Sequence, residues 1–163
     1  CTNFISQVLE AGGFKQNDEW HSKRRIYLPL CIEAIPTEYN YLKWDTTAQW
    51  SSAKESFEYI SDPKNGYTYK EIVNIYSSNG STSDQMINVA QSNISGAAGR
   101  LDIQKGDVVY FYTHDKGVEH AGIVSSVENG QIKYSGNSKR RFDHPLEDGM
   151  KGYDGVYIVR IGD

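Results

Sequence analysis

The chain has 163 residues, 38% hydrophobic and 23% charged, with a net charge of −4. That length suits one domain with a single sizeable core, and the composition is that of an ordinary globular protein. The negative charge argues against nucleic acid as the main partner, and no apolar run reaches the roughly 20 residues needed to span a bilayer.

The chain opens on Cys1 rather than Met, which reads as a processed product or a piece of a larger protein, and no stretch of the sequence reads as a signal peptide, since any targeting segment would have been lost with the rest. Phe4, Ile5, Val8 and Leu9 recur at helical spacing and predict a helix with one apolar face. Thr2 and Asn3 are suited to cap its start, and Gly12-Gly13 to stop it. Cys1 then lies at the start of a buried helix, where unpaired N–H groups and the helix dipole favour thiolate over thiol. The plainer alternative is a small residue that happens to stand there.

Asn17 to Lys23 reads as a polar loop carrying Trp20, and Ile26 to Ile35, interrupted by Pro29, as irregular or short extended structure. Trp50, Ala53, Phe57 and Ile60 predict a helix over 47–61, ended by Asp62-Pro63 and Asn65-Gly66. Tyr69, Ile72, Val73 and Tyr76 suggest a short helix, Ser77 to Ser83 a polar loop, and Asp84 to Asn93 a further helix. The small residues of Ser95 to Gly99 mark the change from a helical half to a strand-rich half.

Gln104-Lys105-Gly106 predicts a turn and Asp107 to Tyr112 a strand, with a second turn at His114 to Gly117. Val118 to Val127 and Gln131 to Ser135 are strands joined at Glu128-Asn129-Gly130, a strong hairpin signal, and Val156 to Ile161 is the last strand. Helices followed by antiparallel strands indicate an α+β fold in a single domain over 1–163.

The two cysteines, Cys1 and Cys31, are too few for a disulfide framework, although one bridge between them is possible. If Cys1 is a nucleophile, Cys31 is expected to be free and buried. The basic clusters Lys23-Arg24-Arg25 and Lys139-Arg140-Arg141 read first as solvated surface and second as anion sites. Of the four histidines, His21 lies in a polar loop, His114 in a turn and His144 beside Pro145 in a loop. His120 alone falls within a core strand, followed by the small pair Ala121-Gly122, which would let a backbone or substrate come close.

A thiol at a helix start, a histidine on a later strand and a polar residue after the next strand make a workable triad, because the thiol needs a base and the base an orienting partner. Asn137 follows the third strand and suits that last role; Ser135 and Asp143 are weaker candidates. No HExxH or paired Cys-x-x-Cys is present, so neither metal nor cofactor is expected.

Here the sequence resembles a known family. Cys1-Thr-Asn-Phe-Ile-Ser-Gln-Val-Leu-Glu-Ala-Gly-Gly13 and Trp20 resemble the opening of the bacterial amidase domain of the papain-like cysteine peptidase superfamily, related to the NlpC/P60 and CHAP peptidases. Trp44, Trp50 and the following helix, Gly106-Asp107-Val-Val, Glu119-His120-Ala-Gly-Ile-Val, Tyr134-Ser-Gly-Asn137-Ser and Pro145-Leu146 follow in the same order. The resemblance implies a papain-like fold, with N-terminal helices packed on a C-terminal antiparallel sheet. It makes Cys1 the nucleophile, His120 the general base and Asn137 the orienting residue. Ser135 departs from the His or Asp expected near that position. With Cys1 first in the sequence, the oxyanion hole is expected to use downstream donors such as those near Asn3, or else the site is incomplete. A free α-amine acting on its own thiol is a second, different mechanism from the same residue.

The expected activity is a cysteine amidase or peptidase acting through a thioester on a peptide amide, of the kind the family implies in cell-wall peptidoglycan. A secreted or wall-associated location follows, with an inhibitor or parent protein as a further partner. The abundant Tyr and Trp could line a substrate groove or simply pack the core. Alternatives on the same triad are a transglutaminase-like acyl transferase and a toxin deamidase; outside it, a non-catalytic binding module or, least, a metallohydrolase.

Overall fold

A computed structural model of the chain describes residues 1–26, 42–62, 64, 69–76, 86–91, 94, 98, 101–137 and 141–161. Helix α1 spans Thr2–Ala11, with Ile5 and Leu9 buried and Phe4 and Val8 packed against the same cluster, as the apolar spacing predicts. A helix of ten residues is too short to persist alone in water, so packing holds it. Burying a side chain such as Ile5 contributes about 1.5–3 kcal/mol.

The cap of α1 differs from expectation. Cys1, not Thr2 or Asn3, is the N-cap, because its carbonyl already accepts from Phe4 N at 3.0 Å and Ile5 N at 3.3 Å. Thr2 is thereby drawn into the first turn and buried. The stop falls at Gly12-Gly13 as expected. Gly13 adopts φ 105°, which lets Phe14 N donate to Leu9 O and Gly13 N to Glu10 O in a Schellman closure.

Strands β1 (Ser22–Ile26) and β2 (Leu42–Thr46) pair antiparallel, Ser22 opposite Thr46. The helix expected over 47–61 is broken into α2 (Ala48–Ser51) and α3 (Ala53–Ser61) by extended backbone at Ser52. The break leaves Trp50, Ala53 and Ile60 all buried.

Among the described residues the main sheet has seven strands: β3 (Tyr69–Tyr76), β4 (Met86–Ala90), β5 (Val108–Thr113), β6 (Gly117–Glu128), β7 (Gln131–Gly136), β8 (Arg141–Pro145) and β9 (Gly155–Ile161). Their order is β4-β3-β9-β5-β6-β7-β8, antiparallel except for the parallel β3–β4 pair. A short helix α4 (Leu146–Gly149) links β8 to β9. On one face Val108, Tyr110, Ala121 and Ile123 meet Ile5, Leu9, Trp50 and Ile60 of the helices. On the other, Val109, Phe111, Val124 and Tyr134 meet Ile94, Leu146 and Met150. The α+β class is thus as the sequence predicts, and no helix among the described residues is long and apolar enough to cross a membrane.

Other expectations are corrected as well. Tyr69 to Tyr76 is a strand, not a helix: Ile72, Val73, Asn74 and Ile75 are all buried between β4 and β9, so both faces are covered and helical and extended patterns look alike. Met86–Ala90 is likewise a strand within the stretch expected to be helical. His144, expected in a loop, lies in β8 opposite Tyr134. Sheet strands therefore precede residue 95, and the chain does not divide there into a helical and a strand-rich half. The expected loop at 77–83 and most of the stretches 26–35 and 95–99 lie outside the described residues.

The turns follow the sequence. Asn129 and Gly130, at φ 51° and 75°, join β6 to β7. Gly106, at φ 99°, turns the chain so that the Asp107 carboxylate accepts from Gln104 N at 2.8 Å and Ile161 N at 3.0 Å. The Gly-Asp pair is thus a structural clasp between the turn and the end of β9.

Candidate active site

Cys1 is half-buried at the start of α1, a free thiol whose Sγ lies 3.9 Å from Thr2 Oγ1. Two contacts from α2 hold the turn that carries it. Trp50 Nε1 donates to Asn3 Oδ1 at 2.6 Å, and Ser6 Oγ donates to the Trp50 carbonyl at 2.8 Å. The first intrahelical bonds begin at Phe4, so the N–H groups of Thr2 and Asn3 belong to the unpaired set at the helix start.

His120 enters from β6. The β5–β6 register shifts between Phe111 and Tyr112, so that Val118 and His120 lie opposite these two neighbours and Glu119 is the extra residue. Such a bulge re-aims the side chains beside it. His120 Nδ1 stands 3.3 Å from Cys1 Sγ, across 119 positions of sequence. For Nδ1 to accept the thiol proton, the neutral ring must carry its hydrogen on Nε2.

The imidazole also meets Tyr153 edge-on, with ring centroids 6.0 Å apart. Together with Phe111, Ala121, Tyr134 and Arg141 these two rings line a small cavity of about 70 Å³. Arg141 Nη1 donates to the Tyr134 phenol at 2.6 Å. Gly122, two residues after His120, is where a Cβ would stand 2.7 Å from the Tyr134 ring. The small residue there admits a neighbouring aromatic ring as well as a backbone atom, the Ser135 carbonyl oxygen, which would stand 3.2 Å from that Cβ.

Asn137 is exposed in the turn that ends β7. Ser135 pairs with Ile123, so counting along the antiparallel strands brings Asn137 level with Ala121, one residue from His120. Among the described residues no hydrogen bond joins Asn137 to His120. Ser135 Oγ instead accepts from Asp143 N at 3.3 Å.

The other histidines lie in separate settings. His21 is buried, its Nδ1 2.8 Å from the Asn17 carbonyl and its Nε2 3.5 Å from Asp45. His114 faces Asp154 at 4.0 Å, and His144 meets the Tyr134 ring. Cys31, Lys139 and Arg140 lie outside the described residues. Sequence reasoning did not assign Trp50, Tyr153 or Arg141 to the site. From sequence, Trp50 reads as part of a helix and of the family resemblance, and Arg141 as part of a basic cluster.

The fold and site define an α+β domain with a thiol and an imidazole in contact at a helix start. The chain belongs to the family described as "Putative amidase domain", whose match covers residues 1–159. That family supports a general amidase, and hence hydrolase, function. Neither a curated protein nor a solved structure matches the chain.

Proposed function

We propose that the protein is a cysteine amidase or peptidase of papain-like type, with Cys1 as nucleophile and His120 as general base. The observation that carries this reading is the 3.3 Å approach of His120 Nδ1 to Cys1 Sγ at a helix start. Nδ1 takes the thiol proton, and the thiolate forms a bond to the carbonyl carbon of the substrate amide. The oxyanion so formed is met by the N–H groups of Thr2 and Asn3. The imidazolium gives its proton to the leaving nitrogen as the C–N bond breaks, leaving a thioester. Water then attacks the thioester, His120 accepts its proton and returns it to sulfur, and the acid departs. Asn137 is assigned the orienting role toward His120, supported by its place in the turn after β7, level with Ala121.

The substrate class that the family resemblance favours is a peptide amide of cell-wall peptidoglycan or a related peptide. A protein acting there would be secreted or wall-associated.

The test is the alkylation rate of Cys1 by iodoacetamide against pH, read by mass spectrometry with Cys31 as internal comparison. Cys1 is expected to react at lower pH than Cys31, and His120→Ala to abolish that advantage. Equal behaviour of Cys1 with and without His120 would overturn the reading. On a cleavable peptide, His120→Ala is expected to lower kcat by about 10²- to 10⁴-fold. Product masses then separate the outcomes: cleavage by water, loss of ammonia from a side-chain amide for a deamidase, or transfer to an added amine for an acyl transferase. A biological effect that survives Cys1→Ala would indicate a binding module.

A further inference from the structure

The cavity beside His120 has aromatic walls formed by Phe111, Tyr134 and Tyr153, and among the described residues one cationic side chain, Arg141. Arg141 is half-buried and donates to the phenol oxygen of Tyr134. Among the described residues no carboxylate lies within ion-pair distance of it. The carboxylate that acts on the same Tyr153 phenol, Glu119, is engaged elsewhere, by Thr113 Oγ1 at 3.0 Å and Lys116 Nζ at 3.5 Å. A guanidinium carries five N–H donors in a planar fork, and the phenol uses one of them. Between low-dielectric aromatic walls, the remaining donors attract an anion more strongly than they would on an open surface.

The position of this cation relative to the chemistry indicates what the anion belongs to. Tyr153 meets the His120 ring edge-on, and Arg141 lines the same small cavity as both rings, so the guanidinium and the imidazole share one cavity. The imidazole must reach the leaving nitrogen to protonate it, so the leaving half of the substrate passes the mouth of this cavity. We propose that Arg141 binds a carboxylate on the leaving side of the scissile amide, so that the substrate is a peptide whose amine-side residue carries a free carboxylate near the bond that is cut. This rests on the assignment of Cys1 and His120 as nucleophile and base. Arg141 becomes a specificity residue, and Tyr134 the group that orients its fork.

The experiment is protection of Cys1 from iodoacetamide by alanyl-alanine and by alanyl-alanine amide, at constant ionic strength. A charge-assisted, bidentate contact is expected to give half-protection by the acid at about tenfold lower concentration than by the amide. Arg141→Gln is expected to erase that difference, and Arg141→Lys to retain part of it. The alkylation rate without peptide reports whether each variant keeps an intact site; if Arg141→Gln does not, the Lys variant decides. Inorganic phosphate is expected to protect no better than chloride. Fast, His120-dependent alkylation with equal protection by acid and amide, or by phosphate and acid, overturns the role of Arg141 and leaves the cysteine amidase standing. Alkylation indifferent to His120 overturns the amidase assignment itself.

Discussion

The indole Nε1 of Trp50 donates to Asn3 Oδ1 at 2.6 Å, tying α2 to the turn of α1 that carries Cys1. Trp50 is almost fully buried and packs against Trp20 with ring centroids 4.6 Å apart. The position of the thiol is therefore set by a helix more than forty residues away, as well as by α1 itself.

Replacing Trp50 by Phe keeps most of the ring and removes the donor. The lost hydrogen bond and the cavity left by the smaller ring are together expected to cost about 2–3 kcal/mol in urea unfolding. The alkylation rate of Cys1 is expected to fall severalfold, because its turn loses a clamp. A fully folded Trp50→Phe variant with unchanged Cys1 reactivity would show that the contact is structural only.

Asn137→Ala tests the orienting role. If Asn137 steers the His120 ring, kcat on a peptide substrate is expected to fall by about tenfold, with little change in KM and an altered pH–rate profile. A merely structural loss would move thermal stability and leave the shape of that profile alone. Unchanged kcat and profile would move the orienting role to another residue.

Asp107 carries a stability dependence on pH. Burial pushes its carboxyl above the ordinary value of 3.8, against the N–H groups of Gln104 and Ile161 and the Arg160 charge, which pull it down. In the window between the ordinary and the raised value the folded chain holds more protons than the unfolded one. Stability from this group is then full below the ordinary value and is lost as pH rises through the raised one. Asp107→Asn does not titrate and gives up one of the two accepting oxygens. It is expected to be destabilised by about 1–3 kcal/mol, with the wild-type advantage shrinking as pH rises through the window. Urea unfolding on both sides of the window checks this; an advantage that grows with pH would contradict it.

Gly155 opens β9 where two neighbours leave no room. A Cβ there would stand 2.5 Å from the Tyr112 hydroxyl and 2.7 Å from the Ile75 carbonyl. The hydroxyl is itself held, donating to Asn74 Oδ1 at 2.7 Å, and the carbonyl is backbone of the paired strand β3. Gly155→Ala is expected to destabilise by about 1–3 kcal/mol, seen as a lower Tm. A Tm equal to wild type would mean that β9 shifts freely against β3.

Local signals were the legible part of this protein. The apolar spacing of Phe4, Ile5, Val8 and Leu9, the Gly12-Gly13 stop, the Asn129-Gly130 turn and the β-rich runs around His120 each depend on residues a few positions apart. For such features, backbone sterics and side-chain periodicity suffice. They made α1, β5, β6, β7 and β9 readable and singled out Cys1 and His120 by their contexts.

Long-range packing decided the rest. Residues 69–76 became a strand because β4 and β9 cover its two edges and the core covers both faces, a setting that erases the period by which strand and helix are told apart. The approach of His120 to Cys1 needed α1, the sheet and the bulge at Glu119 to be assembled at once. Arg141 read only as part of a basic cluster, solvated surface first and an anion site second, since the closing of β8 onto β7 is what sets it against Tyr134. Sequence alone determined which residues had suitable chemistry and local form; distance and burial among residues far apart in the chain belong to the tertiary structure, because contact free energy depends on neighbours that no short window contains.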